Sequence, residues 1–393
     1  MSDNKPQSIH DMANHVFNEA IKRANADQFD EAIAVYNNII DLRPALSNAY
    51  HQRGRCHWEM NRWDKTREDF EQACLMEPNN DDFAWSLGLI DLQQHRYAKG
   101  WAGYARRWGS KTFKSPRLRT NKPEWKPGMG AKRVLVWPEQ GLGDQIIYSS
   151  MLNLLAQDTE VTVMVDMRLV NLLQRGMPNI KFIPHDSRIS FDDHDAHIPI
   201  GSLGQHFIHS TEDINFTEAD YIEPEYERIQ QIRDKYKLND WTTIGLSWQS
   251  TAPTVGKHKS CTLKDLEPIL EWGKKNDIQF LSLQYGDVSE LKNYPQIIKP
   301  DEHLFFDLES AAALMASCDQ IISVSNVNVH LAGAMGVEVN MLDANKLWYW
   351  NAKDSEGYSL WYPNLKIHPR ENMLAPWTLP VRDVLEFLRE KYE

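Results

Sequence analysis

Apolar positions follow two different periods along this chain. Up to about residue 110 they return at helical spacing, and a larger pattern repeats every 34 residues: Phe29, Trp63 and Tyr97; Tyr36, Phe70 and Tyr104; Asp30 and Asp64; Gly54 and Gly88; Pro44 and Pro78. From residue 131 the pattern changes to short apolar runs alternating with helical stretches. The runs are VLVW at 134–137, VTVMV at 161–165, KFIP at 181–184 and AHIPI at 196–200, with helices expected at 144–156 and 168–175. After a charged helix at 223–237 come TTIGLSW at 242–248, IQFLSL at 278–283, QIISVS at 320–325 and VEVNMLD at 337–343. Helices are expected between them at 262–275, 309–317 and 328–335. Such alternation predicts two open α/β units with parallel sheets and a cleft between them.

The repeat of 34 residues has the tetratricopeptide form. Small residues such as Ala32, Gly54, Ala73 and Gly88 let paired helices approach, large ones such as Tyr36 and Phe70 fill the gap, and a proline ends the second helix. Repeats are expected at 13–46, 47–80 and 81–114, the third without its terminal proline. The basic, proline-rich stretch up to residue 130 reads as a linker, assigned to 115–130. The pattern PVRDVLEFLREKYE predicts an amphipathic helix starting at Pro380, a lid or brace.

A net charge of −12 without a long basic run argues against nucleic acid as the main partner. The polar start MSDNKPQSIH has no apolar core of a leader, and no run of 18 apolar residues occurs, so a cytoplasmic protein without a transmembrane segment is expected. Cys56, Cys74, Cys261 and Cys318 lack metal-ligand spacing and read as reduced thiols.

Chemistry concentrates at two turns. In EQGLGD, at 139–144, a strand feeds a helix through Gly141 and Gly143, which free the backbone for positive φ and close approach to a ligand. The first amides of the next helix then point into the crevice. The spacing matches neither the dinucleotide fingerprint nor the P-loop, and a plain βα turn is the alternative. In SNVNVHLAGAMG, at 325–336, a strand again ends in short polar side chains, and His330 lies about one turn inside the next helix, a candidate for ligand contact.

The chain resembles bacterial tetratricopeptide proteins that carry a heptosyltransferase-like GT-B glycosyltransferase domain. The resemblance rests on EQGLGD, DAHIPIGSLGQHF (195–207), IGLSWQS (244–250), FLSLQYG (280–286), the segment 307–336 and LWYPNLKIHPR (360–370). It implies two Rossmann-like domains, an acceptor-side one at 131–222 and a nucleotide-sugar donor one at 240–375, with a terminal helix at 376–393. The activity implied is sugar transfer from a nucleotide donor to a protein or glycan acceptor, inverting and independent of metal. Asp144 takes the position of the general base. The diphosphate requires cations or amides, for which Lys257, His258 and Lys259 and the amides of Asn326, Val327 and Asn328 are the candidates. Gln284 and Tyr285 are placed at the nucleobase, with Ser325 and Ser260 also on the donor side. Ser202 and His206 are placed on the acceptor side, and Glu139 and Gln140 fix the turn.

The resemblance has departures. Related sequences often carry an acidic residue where this chain has Ser325-Asn326, and the basic-Ser pair of the family is matched to Lys259-Ser260. FDDHDAH at 191–197 has the look of a metal or sugar-nucleotide motif but falls in a connecting loop, and the aromatic stretch 347–363 suits packing or stacking on a ring. Two functions therefore stand: a glycosyltransferase, with a peptide bound by the repeats as a further partner, and a non-catalytic adaptor with a degenerate nucleotide or sugar site. Neither the sugar nor the base is legible.

Overall fold

A computed structural model describes residues 9–216, 220–252, 256–345 and 347–393; the polar start at 1–8 lies outside them. The chain forms two compact units. In the first, six helices form three hairpins: α1 (Ile9–Asn25) with α2 (Phe29–Leu42), α3 (Ser47–Glu59) with α4 (Trp63–Met76), and α5 (Asp81–Gln93) with α6 (Tyr97–Tyr104). Of the aromatic residues that recur every 34, Phe29, Tyr36, Phe70, Tyr97 and Tyr104 are buried and pack the hairpins, and Trp63 is half-buried. Glycine is required where helices touch. A Cβ on Gly88 would lie 2.5 Å from the main chain of Gly103 and Tyr104. Since backbone cannot swing aside as a side chain can, Gly88→Ala should force α5 from α6 and lower stability by about 1–3 kcal/mol, read as a fall in the melting temperature.

The first unit also takes in 345–348 and 371–375, which the repeat pattern does not reveal. Met373 joins the core around Phe29, Tyr36 and Cys56 and its amide donates to the Glu59 carbonyl at 3.4 Å, while Trp348 meets Trp101 edge to face at 5.4 Å.

The second unit holds two all-parallel sheets. In the first, β1 (Arg133–Trp137), β2 (Glu160–Val165), β3 (Lys181–Pro184) and β4 (Ala196–Pro199) lie in the order β3-β2-β1-β4. In the second, β5 (Thr243–Ser247), β6 (Gln279–Ser282), β7 (Ile297–Ile298), β8 (Gln320–Val324), β9 (Val339–Asp343) and β10 (Leu365–Pro369) lie in the order β10-β9-β8-β5-β6-β7. Apolar runs became strands because they are covered on both faces, as parallel sheets require: β1, β5, β8 and β9 are buried almost throughout.

Several boundaries differ from expectation. The helix expected at 144–156 breaks after α7 (Leu142–Ser149), and a separate turn follows at Leu152–Leu155. The helix expected from 262 starts at Glu267, because Thr262 and Asp265 close a turn on each other's amides before Pro268 admits a helix. The two edge strands β7 and β10 were not expected. β7 has only two residues, and Lys366 and His368 interrupt the apolar pattern of β10.

Candidate functional site

Ligands in open α/β sheets sit beyond the carboxyl ends of the strands, where the strand order reverses. The first sheet reverses between β1 and β4 and the second between β5 and β8. The four turns that leave these strands carry Glu139 to Asp144, Ser202, Trp248 to Ser250, and Ser325 to Asn328. Helix α7 packs against the helix Val327–Ala334, so the two reversals lie together.

Asp144 is the third residue of α7 and its Oδ2 accepts the Gly141 amide at 3.2 Å, satisfying one of the helix's unpaired donors. The carboxyl group is pushed up to about 6, first by burial and then by the Glu139 carboxylate. The Gly141 amide and the Lys259 ammonium oppose the rise. Lys259 is itself buried, and its pKa is lowered by that burial against the pull of Asp343 first and Asp144 second. One buried cation is thus within electrostatic reach of Asp144 on α7 and of Asp343 at the end of β9.

The expected role of the turn glycines needs correction. Neither takes positive φ; Gln140 does, at 60°, with its amide donating to Ser115 Oγ at 2.7 Å. Gly143 is required for close approach instead. A Cβ there would stand 2.7 Å from Cδ2 and 3.0 Å from Nε2 of His330. His330 is fully enclosed: Nδ1 pairs with the Tyr362 hydroxyl at 3.2 Å, Nε2 with the Tyr349 hydroxyl at 3.4 Å, and the ring stacks on Trp350 at 5.0 Å. Burial, with Lys259 nearby, pushes its pKa down to about 3, so it is neutral across the working range of proteins. His330 therefore joins the two halves rather than presenting a free nitrogen to a ligand.

At the second reversal the polar side chains bind one another. Asn326 Oδ1 accepts the Asn328 amide at 3.0 Å, and its Nδ2 donates to Ser247 Oγ at 2.9 Å and to the Gln249 carbonyl at 3.0 Å. Asn328 Nδ2 donates to the Leu283 carbonyl at 2.8 Å. Gln284 Oε1 accepts the Trp248 and Gln249 amides at 2.9 and 2.8 Å, and its Nε2 donates to the Tyr285 carbonyl at 2.6 Å. Ser325 Oγ accepts the Trp350 indole at 2.9 Å. These groups hold the crevice wall, and the amide of Gln284, expected at a nucleobase, is engaged by the main chain. The Val327 amide meets the Tyr285 hydroxyl, so it too is partnered. Tyr285 remains at a recess, lining a 240 Å³ cavity with Lys299, His303 and Phe305 beyond the ends of β6 and β7.

Two further placements change. Lys257 is exposed, and it is Lys259, two residues on, that faces Asp144. Ser260 Oγ donates to the Gly256 carbonyl at 2.7 Å and accepts the Ser250 amide at 2.9 Å, which closes the turn that carries Lys259. Ser202 is buried at the crevice end of β4, in a turn packed on α7. His206 is not there. It lines a 480 Å³ cavity with Trp125, Phe207, Lys132 and Thr159, of which Lys132 and Thr159 immediately precede β1 and β2 and so mark the opposite end of the sheet. Asp195 in FDDHDAH accepts the Arg133 amide and guanidinium at 2.9 and 3.0 Å, a structural tie. Among the described residues no group of three or more His, Cys, Asp or Glu side chains is placed to hold a metal ion.

Helical hairpins of the tetratricopeptide form and two parallel sheets with adjacent reversal points define the class: a helical repeat followed by two Rossmann-like domains in the GT-B layout. No family model matches the chain. It is similar to protein FlbA of Caulobacter vibrioides, 26% identical over 365 residues that cover 85% of this chain and 60% of FlbA. The chain thus spans 60% of the length of that relative. Among solved structures, ADP-heptose lps heptosyltransferase II of E. coli is 12% identical and covers 66% of this chain and 99% of its own, with a TM-score of 0.43. The chaperone SycD of Yersinia enterocolitica, solved with a peptide of the translocator YopD, is 16% identical over 26% of this chain and 79% of its own, with a TM-score of 0.25. The fold assignment rests on the strand order and helix pairing described above. Among the described residues no helix is long and apolar enough to cross a membrane.

Proposed function

We propose that this protein transfers a sugar from a nucleotide-sugar donor to an acceptor hydroxyl with inversion at the anomeric carbon. The observation that carries the reading is Asp144, a carboxylate at the first reversal point whose pKa of about 6 suits a base at neutral pH. As the acceptor oxygen attacks the anomeric carbon, Asp144 takes the hydroxyl proton. The bond to the leaving oxygen breaks, and its electron pair departs with the nucleoside diphosphate. Lys259 is the cation available to that developing charge, and the cavity beside Tyr285 seats the base. The acceptor is a protein or glycan. A peptide partner would occupy the 520 Å³ groove of the repeats, which His51, Arg55, Phe83, Trp85 and Lys111 line.

The second reading, a binding module without turnover, is favoured by one observation: Asn326, Asn328 and Gln284 are satisfied by Ser247 Oγ and the local main chain, leaving few side-chain donors for a nucleotide. A thermal-shift panel of ADP, GDP, UDP, CMP and dTMP nucleotides and their sugars separates the outcomes. A ligand at 100 times its dissociation constant adds about 2.7 kcal/mol of stability. A shift with one series, followed by donor hydrolysis, supports the transferase; a shift without hydrolysis supports the module; no shift removes the nucleotide site.

A further inference from the structure

Lys259 lies on a single helical turn, Gly256–Lys259, too short to hold a buried ammonium in place by its own hydrogen bonds. The main chain on both sides of it is held from elsewhere. The Arg370 guanidinium donates to the His258 carbonyl, and the Trp377 indole donates to the Ser260 carbonyl at 2.9 Å. These two side chains are stacked, the guanidinium carbon 3.9 Å from the centroid of the Trp377 ring. Arg370 leaves the end of β10, where its amide donates to the Asp343 carbonyl at 2.9 Å, and Trp377 caps the C-terminal helix Thr378–Tyr392. Asp343, buried at the end of β9, bears electrostatically on both Arg370 and Lys259.

We propose that Arg370 and Trp377 are positioning residues, a stacked pair that fixes the chain on either side of Lys259 and so holds its ammonium against Asp144. The proposal rests on the reading of Asp144 and Lys259 as the working site. It gives the C-terminal helix a role that its amphipathic pattern leaves open: its first residues brace a charge 118 positions earlier in the chain, Lys259 to Trp377.

The consequence is electrostatic. Asp144 is faced by Glu139, Tyr349 and Tyr362, by the Gly141 amide and by Lys259; Lys259 is faced by Asp343, Asp144 and His330. If Lys259 moves away, burial and Glu139 act on Asp144 with less opposition and the carboxyl holds its proton more tightly.

Trp377→Phe keeps an aromatic ring in the core and removes the N–H that holds the Ser260 carbonyl. Arg370→Lys keeps the charge and removes the planar stack. The experiment is the titration of Asp144 by carbon NMR on protein labelled at aspartate carboxyls, assigned with Asp144→Asn and calibrated with Lys259→Met. The midpoint is expected to rise in both clamp variants, by about half a unit, a threefold gain in proton affinity, and further in Lys259→Met. An unchanged midpoint in folded Trp377→Phe and Arg370→Lys, with only a lower melting temperature, would overturn the proposal. So would an unchanged midpoint in Lys259→Met. The readout needs no donor, so a protein that binds no nucleotide still tests the clamp separately from the transferase reading.

Discussion

Asp144→Asn is expected to reduce turnover by about 10²–10⁴-fold, the usual contribution of a positioned base, while nucleotide affinity stays close to that of the unaltered protein. The amide is nearly isosteric and its oxygen still accepts the Gly141 amide, so the turn survives and only the proton acceptor is lost. In the unaltered protein turnover should rise with pH through about 6, because the working form is the carboxylate and that is where it titrates. Stability should move the other way. The folded-state pKa lies above the value of roughly 3.9 for an unfolded aspartate, so the folded state binds the proton more tightly than the unfolded state. Ionisation of Asp144 therefore costs the fold stability as pH rises from about 4 to 6, and the loss is complete above that range. Asp144→Asn should accordingly melt higher than the unaltered protein at pH 8 and lose that advantage at pH 4. A variant that is inactive and more stable at high pH would identify a residue kept for chemistry at a cost to the fold; equal turnover would remove Asp144 from the role of base.

Gly143→Ala is the second large effect. The added methyl would meet the His330 ring at 2.7 Å, and the ring has nowhere to go: Trp350 backs one face, Tyr362 holds Nδ1, and Tyr349 stands at Nε2. Overpacking of this kind costs about 1–3 kcal/mol, and relief requires α7 to move away from the helix Val327–Ala334, taking Asp144 from Lys259. Both a lower melting temperature and a loss of turnover are expected. Gly141→Ala is the matched control. Its φ is −94° and its Cβ would meet nothing nearer than Asp144 Oδ2 at 3.7 Å, so it should be tolerated. Comparable behaviour of the two alanines would show that the contact with His330 is not what glycine serves at position 143.

The contrast between these two glycines shows what kind of information one-dimensional pattern carries. Two glycines flanking a strand-to-helix turn announce an unusual backbone, and the turn is indeed unusual, but the left-handed residue is Gln140. Gly143 is small because of a histidine 187 positions later, His330, which no local rule connects to it. The same holds for the cation of the site. A run of Lys257, His258 and Lys259 reads as one basic loop. A single helical turn separates the three by direction, sending Lys259 inward and leaving Lys257 in solvent. His206 follows a strand expected at the crevice, yet the turn Gly204–Phe207 carries it to the other end of the sheet.

The hairpins, the apolar strands, and the placing of Asp144 just after β1 were legible because they depend on spacing within about 40 residues, where helical period, buried-strand runs and turn residues act locally. The tertiary structure decided what those rules do not reach: that Asp343, Arg370 and Trp377 gather around Lys259, that Asn326, Asn328 and Gln284 converge on Ser247, and that Met373 returns to the core of the repeats. Each of these brings together groups far apart in the chain whose burial is acceptable only when a partner from another element satisfies its charge, its hydrogen bonds or its apolar surface, and that partner exists only once the sheets and helices have packed.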